Sequence, residues 1–319
     1  MTEKPDLGAL FGASDVSTFM GLAACDDLAS LDAPAVIIGA PGATPYRSVG
    51  AYCAGAPAAL RASAAGLAAN IDRHNFDLGG PIYPPGAARA VDVGDLPFES
   101  DDFAANRAAI QRAMETILSR GAVPILLGGD DSVPIPMLAA FAGGGPFTIL
   151  QIDAHIDWRR EHMGEPLGLS STMRRASEMA HIERIVQVGA RGIGSAHSDD
   201  VRDALDWGAV LVLAEEVHRG GVEAALRHIP EGSQIIIAFD VDALDPSIMP
   251  GAIGRTPGGF SYFQVLDLLR GAAAKGRIAG IDVVEYMPEV DVDGIGAMNV
   301  SRLIAAMLGL LARQDAQNR

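Results

Sequence analysis

"ILLGGDDSVPIP" (125–136) decides how this chain is read. An apolar strand runs into two glycines and then sets Asp130 and Asp131 side by side. Adjacent carboxylates repel one another, and at the mouth of a buried strand each loses hydration. Either something cationic compensates them, or one of them caps the next helix.

The same form recurs along the chain. Short runs, apolar on successive residues, stand at "AVIIGAP" (35–41), "VPILLGG" (123–129), "FTILQIDAH" (147–155), "RIVQVGARG" (184–192), "AVLVL" (209–213), "QIIIAFDVD" (234–242) and "RIAGIDVVE" (277–285). Such runs read as parallel strands covered on both faces. Helical patterns lie between them at 56–70, 102–121, 170–180, 221–229 and 262–276, and a last one covers 297–314. Strand, helix, strand in this alternation predicts an α/β protein, a three-layer α/β/α sandwich around a mainly parallel sheet. Nothing in the sequence splits residues 1–319, so one domain is expected, with an irregular N-terminal extension over about residues 1–30. "GGPIYPPGAAR" (79–89) reads as an irregular surface or interface segment.

Composition narrows the function. With 319 residues and 49% hydrophobic content the chain can bury a large core, built on small aliphatics because aromatics are only 5%. No run reads as the roughly 20 apolar residues a bilayer span needs, and "MTEKPDLGAL" lacks the basic start and apolar run of a signal peptide. A cytoplasmic protein without a membrane partner is expected. Cys25 and Cys53 are too few for a disulfide framework. A net charge of −16 with no basic tract argues against nucleic acid and favours a cationic ligand. GxxxxGK[ST], GxGxxG and GxSxG are all absent, which removes the usual warrants for phosphate, dinucleotide and serine-hydrolase chemistry.

In a parallel sheet, ligands gather outside the carboxyl ends of the strands. There the first strand offers Asp130 and Asp131, the second "DAHID" (Asp153, His155, Asp157), and the third "DVDALDP" (Asp240, Asp242, Asp245). Alternate residues of a strand point the same way, so D-x-H-x-D and D-x-D each aim at one point. Carboxylates pooled by three neighbouring strands must take up protons or bind cations. A pair of divalent metals resolves that repulsion, and carboxylate with some imidazole suits Mn²⁺ while admitting Ni²⁺ or Zn²⁺. Taken singly, Asp131 reads equally well as a helix cap, Asp245 as a turn cap, and His155 as a core histidine. Three such clusters together do not.

These motifs resemble the ureohydrolases, the family of arginases and agmatinases, from "GAPGATPYRSVGAYCAGAPAALR" (39–61) to the C-terminal helix. "GGDDS" stands where that family has G-G-D-H-S, "DAHID" matches D-A-H-x-D, and "AFDVDALDPSIMPG" matches S-x-D-x-D-x-x-D-P. In "GIDVVEYMPEVD" (280–291), Glu285 matches a glutamate that faces the substrate guanidinium. The resemblance implies an arginase-like fold and two divalent metal ions per chain, usually manganese. Asp131, Asp153, His155, Asp157, Asp240 and Asp242 would be the ligands. It also implies hydrolysis of a guanidino compound to urea and an amine, in a homo-trimer or hexamer. Two departures stand out. Asp131 occupies a histidine ligand's place, which adds a negative charge and makes bound water a weaker acid. Ser170 aligns with a second histidine, one that lies near the substrate, whereas His162 comes eight residues earlier.

The chemistry needs a nucleophile for a resonance-stabilised carbon, and a metal-bridging water lowered towards neutral pKa supplies hydroxide. Asp157 would hold that water and take its proton, and Glu285 would orient the guanidinium. His162, Ser170 with a water, or Asp157 would protonate the leaving amine. Trp158 and Tyr46 read either as pocket lining or as packing. The first expectation is therefore an agmatine- or guanidino-acid-like substrate. The second is guanidine, a substituted guanidine or a biguanide, with nickel. The third is a catalytically weak subunit in a mixed oligomer with a paralogue.

Overall fold

The computed structural model describes residues 16–317 together with Leu10; the reading of "MTEKPDLGAL" otherwise lies outside them. Eleven strands form among the described residues: β1 (Ala23–Ala24), β2 (Ala35–Ala40), β3 (His74–Asn75), β4 (Gly80–Pro81), β5 (Val91–Asp95), β6 (Val123–Gly128), β7 (Phe147–Ile152), β8 (Ile182–Val188), β9 (Val210–Val212), β10 (Ser233–Asp240) and β11 (Gly276–Val284). Nine of them make one sheet in the order β1-β5-β2-β6-β11-β10-β7-β8-β9, while β3 and β4 pair as a separate ribbon. The ladders of the large sheet are parallel.

Every residue of β2, β6 and β7 is buried, as the unbroken apolar runs require. Alternation sorts the side chains into two cores. Ile235, Ile237 and Phe239 of β10 face one side, with the helices Tyr262–Lys275 and Ile295–Gln317. Ile236 and Ala238 face the other, with Ile110, Met114 and Ile117 of the helix Phe103–Ser119. The result is the three-layer α/β/α sandwich. Its helix starts follow local chemistry: Asp102 accepts the Ala105 N–H at 2.9 Å, and Ser261 with Gln264 forms a capping box.

Four expectations change. The three carboxylate-bearing strands are not all immediate neighbours: β7 pairs with β10, but β11 lies between β6 and β10 and brings Glu285 into the middle of the group. "VDVGD" is a strand, and Ala23–Ala24 pairs with it at the sheet edge, so part of the first 30 residues belongs to the sheet. The short helices Pro134–Ala139, Ser198–Trp207 and Ala214–Gly220 lack a long apolar period and escape a reading by pattern. Finally, Ile295–Ala316 is long and apolar enough to cross a membrane, but 72% of its most apolar window is buried inside the fold, where it serves as a core helix.

Candidate metal centre

The strands β6, β11, β10 and β7 end side by side, and their ends converge on one buried acidic cluster. Asp131, Asp153, Asp157, Asp240 and Asp242 are each less than a tenth exposed. Candidate ligand atoms of Asp153, His155 and Asp242 lie within 4.8 Å of one another, and so do those of Asp131, Asp153 and Asp157. Asp153 is common to both groups, as a carboxylate shared between two ions would be. Asp240 stands outside both groups, with its Oδ1 accepting the Asp242 N–H at 2.7 Å.

The paired aspartates divide their work. Asp130 Oδ1 accepts the Ser132 N–H at 3.0 Å and the Ser132 hydroxyl, so Asp130 makes the local turn. Both keep a buried Oδ2 without a hydrogen-bond partner, but only Asp131 lies in a group of candidate ligand atoms. The backbone that leads into them is tightly packed: a Cβ on Gly129 would stand 2.1 Å from the Pro41 carbonyl oxygen. On the far side, a Cβ on Gly254 would lie 2.9 Å from Asp242 Oδ2 and 3.1 Å from His155 Cε1, so only glycine leaves the cluster its space.

The electrostatics match an excess of like charge. Burial, and then Asp157 and Asp153, push Asp131 well above the carboxylate range. Burial and Asp153 raise Asp157, and burial and Asp242 raise Asp240. Asp242 is raised mainly by burial. Asp153 goes the other way: burial opposes ionisation, but the His155 hydrogen bond and charge overcome it. His155 Nδ1 lies 3.1 Å from Asp242 Oδ2 and 3.5 Å from Asp153 Oδ1. Those carboxylates outweigh burial and push the imidazole up to about 12. One imidazolium cannot neutralise five carboxylates, and divalent cations fit this donor set of oxygens and one nitrogen.

Glu285 borders the cluster. Its Oε1 accepts the Asp131 N–H at 2.8 Å, and the Tyr52 hydroxyl lies 2.9 and 2.8 Å from its two oxygens. Burial and the Asp130 charge raise it to about 8. Both Glu285 (φ 68°) and Asp157 (φ 45°) hold left-handed backbone, at a cost of about 1–3 kcal/mol each, a kind of strain concentrated at functional sites.

Behind the ligands lies a support that motif reading misses. Gln151 Nε2 donates to Asp153 Oδ2 at 2.7 Å and Asp157 Oδ2 at 2.8 Å, and Gln187 donates in turn to Gln151 Oε1. Glutamine inside a fully buried strand was the available signal, and Tyr52 left none. Asp282, on β11, is fully buried with both oxygens unpartnered, and burial drives its carboxyl well above the usual range.

The other expected site residues fall elsewhere. Trp158 is 1% exposed and packs against Trp207 at 5.9 Å, so it belongs to the core and not to a substrate surface. His162 is half-buried, with Nδ1 2.7 Å from Arg159 Nη1 and its ring edge-on to Tyr46 at 4.9 Å. Burial and the Arg159 charge hold its pKa below the usual value. Ser170 is buried, and its Oγ lies 2.6 Å from the Tyr46 hydroxyl. Tyr46 therefore links His162 to Ser170. Asp245 accepts from Ser247, Gly258 and Gly259, which makes it a turn residue.

Comparison with known proteins agrees with this geometry. The model of the Arginase family matches residues 33–309. A mitochondrial guanidino acid hydrolase of Homo sapiens is 32% identical over 229 residues, which are 70% of this chain and 64% of that protein. A guanidinopropionase of Pseudomonas aeruginosa is 32% identical over 244 residues, 74% of this chain and 76% of that one. Among solved structures, the proclavaminate amidino hydrolase of Streptomyces clavuligerus aligns with a TM-score of 0.83 at 27% identity, covering 94% of this chain and 98% of that chain.

Proposed function

The chain belongs to the arginase family, and from that premise we propose that it hydrolyses a small guanidino compound to urea and an amine using two divalent metal ions. Its class, a hydrolase of the carbon–nitrogen bonds of linear amidines, follows from the family. The observation that carries the reading is the pair of ligand groups sharing Asp153, with Glu285 hydrogen-bonded to the backbone of Asp131 beside them.

Asp131, Asp153, His155, Asp157 and Asp242 would hold the ions, with Asp240 joining them. Mn²⁺ suits this oxygen-rich set, and Ni²⁺ is the alternative. When bound, such ions bring the pKa of water towards neutrality and so provide a nucleophile. Glu285 would accept hydrogen bonds from the guanidinium fork on its two oxygens, with Tyr52 holding its carboxylate in place. A cationic head also favours the ionised form of a carboxyl that burial has raised to about 8. Asp157 would accept a proton from the attacking water. The substituted guanidinium and one water then become urea and a protonated amine, with both protons of the water, including the one taken up by Asp157, ending on the leaving nitrogen. Asp157, or the Tyr46–Ser170 pair with His162 behind it, would deliver them.

Support for a guanidino-acid- or agmatine-like substrate comes from the names of the relatives, among them an agmatinase of Chromobacterium violaceum. The same reading takes the protein as a cytoplasmic homo-trimer or hexamer. The test is metal analysis of the purified protein alone, together with urea release from guanidino acids, agmatine, guanidine and biguanides. About two ions per chain and turnover are expected. Empty sites and no urea after Mn²⁺ or Ni²⁺ loading would sink the independent enzyme and leave a subunit that needs an active paralogue.

A further inference from the structure

The loops that follow β2, β7, β8, β10 and β11 leave the same edge of the parallel sheet and form a closed ring around the metal centre. Successive members are joined by side-chain contacts. Ser48 Oγ lies 3.4 Å from Met163 Sδ, and Arg159 Nε donates to the Ser195 carbonyl at 2.9 Å. Arg191 Nη2 donates to the Thr256 carbonyl at 2.9 Å, and Arg255 Nη2 to the Val290 carbonyl at 3.2 Å. The Tyr52–Glu285 hydrogen bond closes the circle.

Each of the five loops carries one large aliphatic side chain turned to solvent: Val49, Met163, Ile193, Ile253 and Val292, from 50% to fully exposed. The loop that carries Ile193 lines, through Gly192 and Gly194, a cavity of about 370 Å³ that extends from His155 past Ile156, Val201, Leu211 and Leu213. Its one arginine, Arg191, directs its donors at the carbonyls of Gly189, Asp242, Leu244 and Thr256. Arg159 and Arg255 are likewise turned to carbonyls of the ring. These cations lock the loops together, so none of the three is presented to a substrate carboxylate. Exposed apolar groups arranged around a deep polar site mark a binding surface.

From this ring and cavity we propose that the substrate is a guanidine bearing an uncharged apolar tail, received by the ring and seated in the cavity beside His155. The inference rests on the guanidine-hydrolase reading and replaces the charged guanidino-acid- or agmatine-like tail suggested by the relatives' names with an uncharged one. A guanidinium head held at Glu285 leaves its substituent pointing out through the ring, where each added methylene loses water against aliphatic carbon. At about 0.8 kcal/mol for a fully buried methylene, kcat/KM should rise roughly two- to fourfold per methylene.

The experiment compares urea release from methyl-, butyl- and hexylguanidine with agmatine and guanidinobutyrate, using metal-loaded protein. A rise with chain length, with hexylguanidine above both charged-tail compounds, is the expected result. Ile193→Ser and Leu213→Ser, at exposed positions, should flatten that rise. Phe76→Ser, exposed between β3 and β4 and part of neither the ring nor the cavity lining, should keep it. Turnover that is flat with chain length and highest for a charged tail would overturn the proposal while leaving the hydrolase reading intact. Loss of oligomer mass in Ile193→Ser, measured by light scattering, would then assign the ring to a second copy of the chain. If no guanidine yields urea, the hydrolase reading itself falls. Calorimetry then decides the tail site, since equal affinities for hexyl- and methylguanidinium would overturn it.

Discussion

Two buried charge clusters sit in this sheet, and they are built on opposite principles. At β5, Asp92 is 1% exposed and fully partnered. Its Oδ2 accepts the Phe19 N–H at 2.7 Å and Arg61 Nε at 2.8 Å, and its Oδ1 accepts Arg61 Nη2 at 2.9 Å and the Gly94 N–H at 3.0 Å. Although burial alone would lower the Arg61 pKa, the Asp92 and Asp95 carboxylates raise it above the usual value. At the ends of β6, β7 and β10, by contrast, five buried carboxylates face one imidazole, and Asp131 Oδ2 has no partner at all. A cluster that neutralises itself supports the fold. One that leaves like charges together is shaped for something the chain does not supply, because each uncompensated buried charge costs several kcal/mol.

The contrast can be broken by mutation. The largest effect is expected from Asp153→Asn, which removes the carboxylate common to both ligand groups. Metal content should drop from about two ions per chain to one or none, and urea release on the order of 10³-fold or more, equivalent to at least about 4 kcal/mol. Full metal content and activity in this variant would refute the shared-ligand assignment. Arg61→Ala should do the reverse. Breaking a buried pair by removing one partner costs about 3–5 kcal/mol, read as a lower denaturant midpoint, while kcat of the folded fraction stays unchanged.

The pH dependence of metal stabilisation sharpens the comparison further. Asp131, Asp157, Asp240 and Asp242 are raised in the metal-free fold. Groups raised in this way stabilise the fold fully below their unfolded pKa, near 4, and that contribution is lost as pH rises through the folded values. His155, raised to about 12, loses its contribution on the same side, at higher pH. The metal-free protein should therefore weaken from pH 6 to 8, whereas metal binding strengthens as protons leave the ligands. One site at a hundredfold excess over Kd adds about 2.7 kcal/mol. The gap in Tm between Mn²⁺-loaded and chelator-treated protein should widen over that range, and a gap independent of pH would remove the titrating ligands from the account. The smallest effect belongs to Tyr52→Phe. It deletes one hydrogen bond to Glu285, worth about 1 kcal/mol, and should raise KM roughly fivefold with metal content intact.

Much of this was legible in the residues themselves. Burial on both faces leaves unbroken apolar runs, so β2, β6, β7, β10 and β11 could be found within one to three residues. The two-residue period of a strand made D-x-H-x-D and D-x-D recognisable as converging groups. Both signals are local. Short helices without a long apolar stripe carried no such signal, and "VDVGD" (91–95), broken by two aspartates and a glycine, offers no unbroken apolar run.

What the residues determined alone was the set of polar strand ends and the acidity of the site, because side-chain alternation and net charge need no partner to be read. The tertiary structure decided the rest. Strand order placed β11 between β6 and β10, and so put Glu285 beside Asp131, a contact across 154 positions. Tyr52 reached Glu285 across 233 positions, and Gln187 came to brace Gln151 across the β7–β8 ladder. Packing sent Trp158 into the core and left Ile193 in solvent. Contacts of this kind arise from which strands lie together, and no periodicity along the chain encodes that neighbourhood.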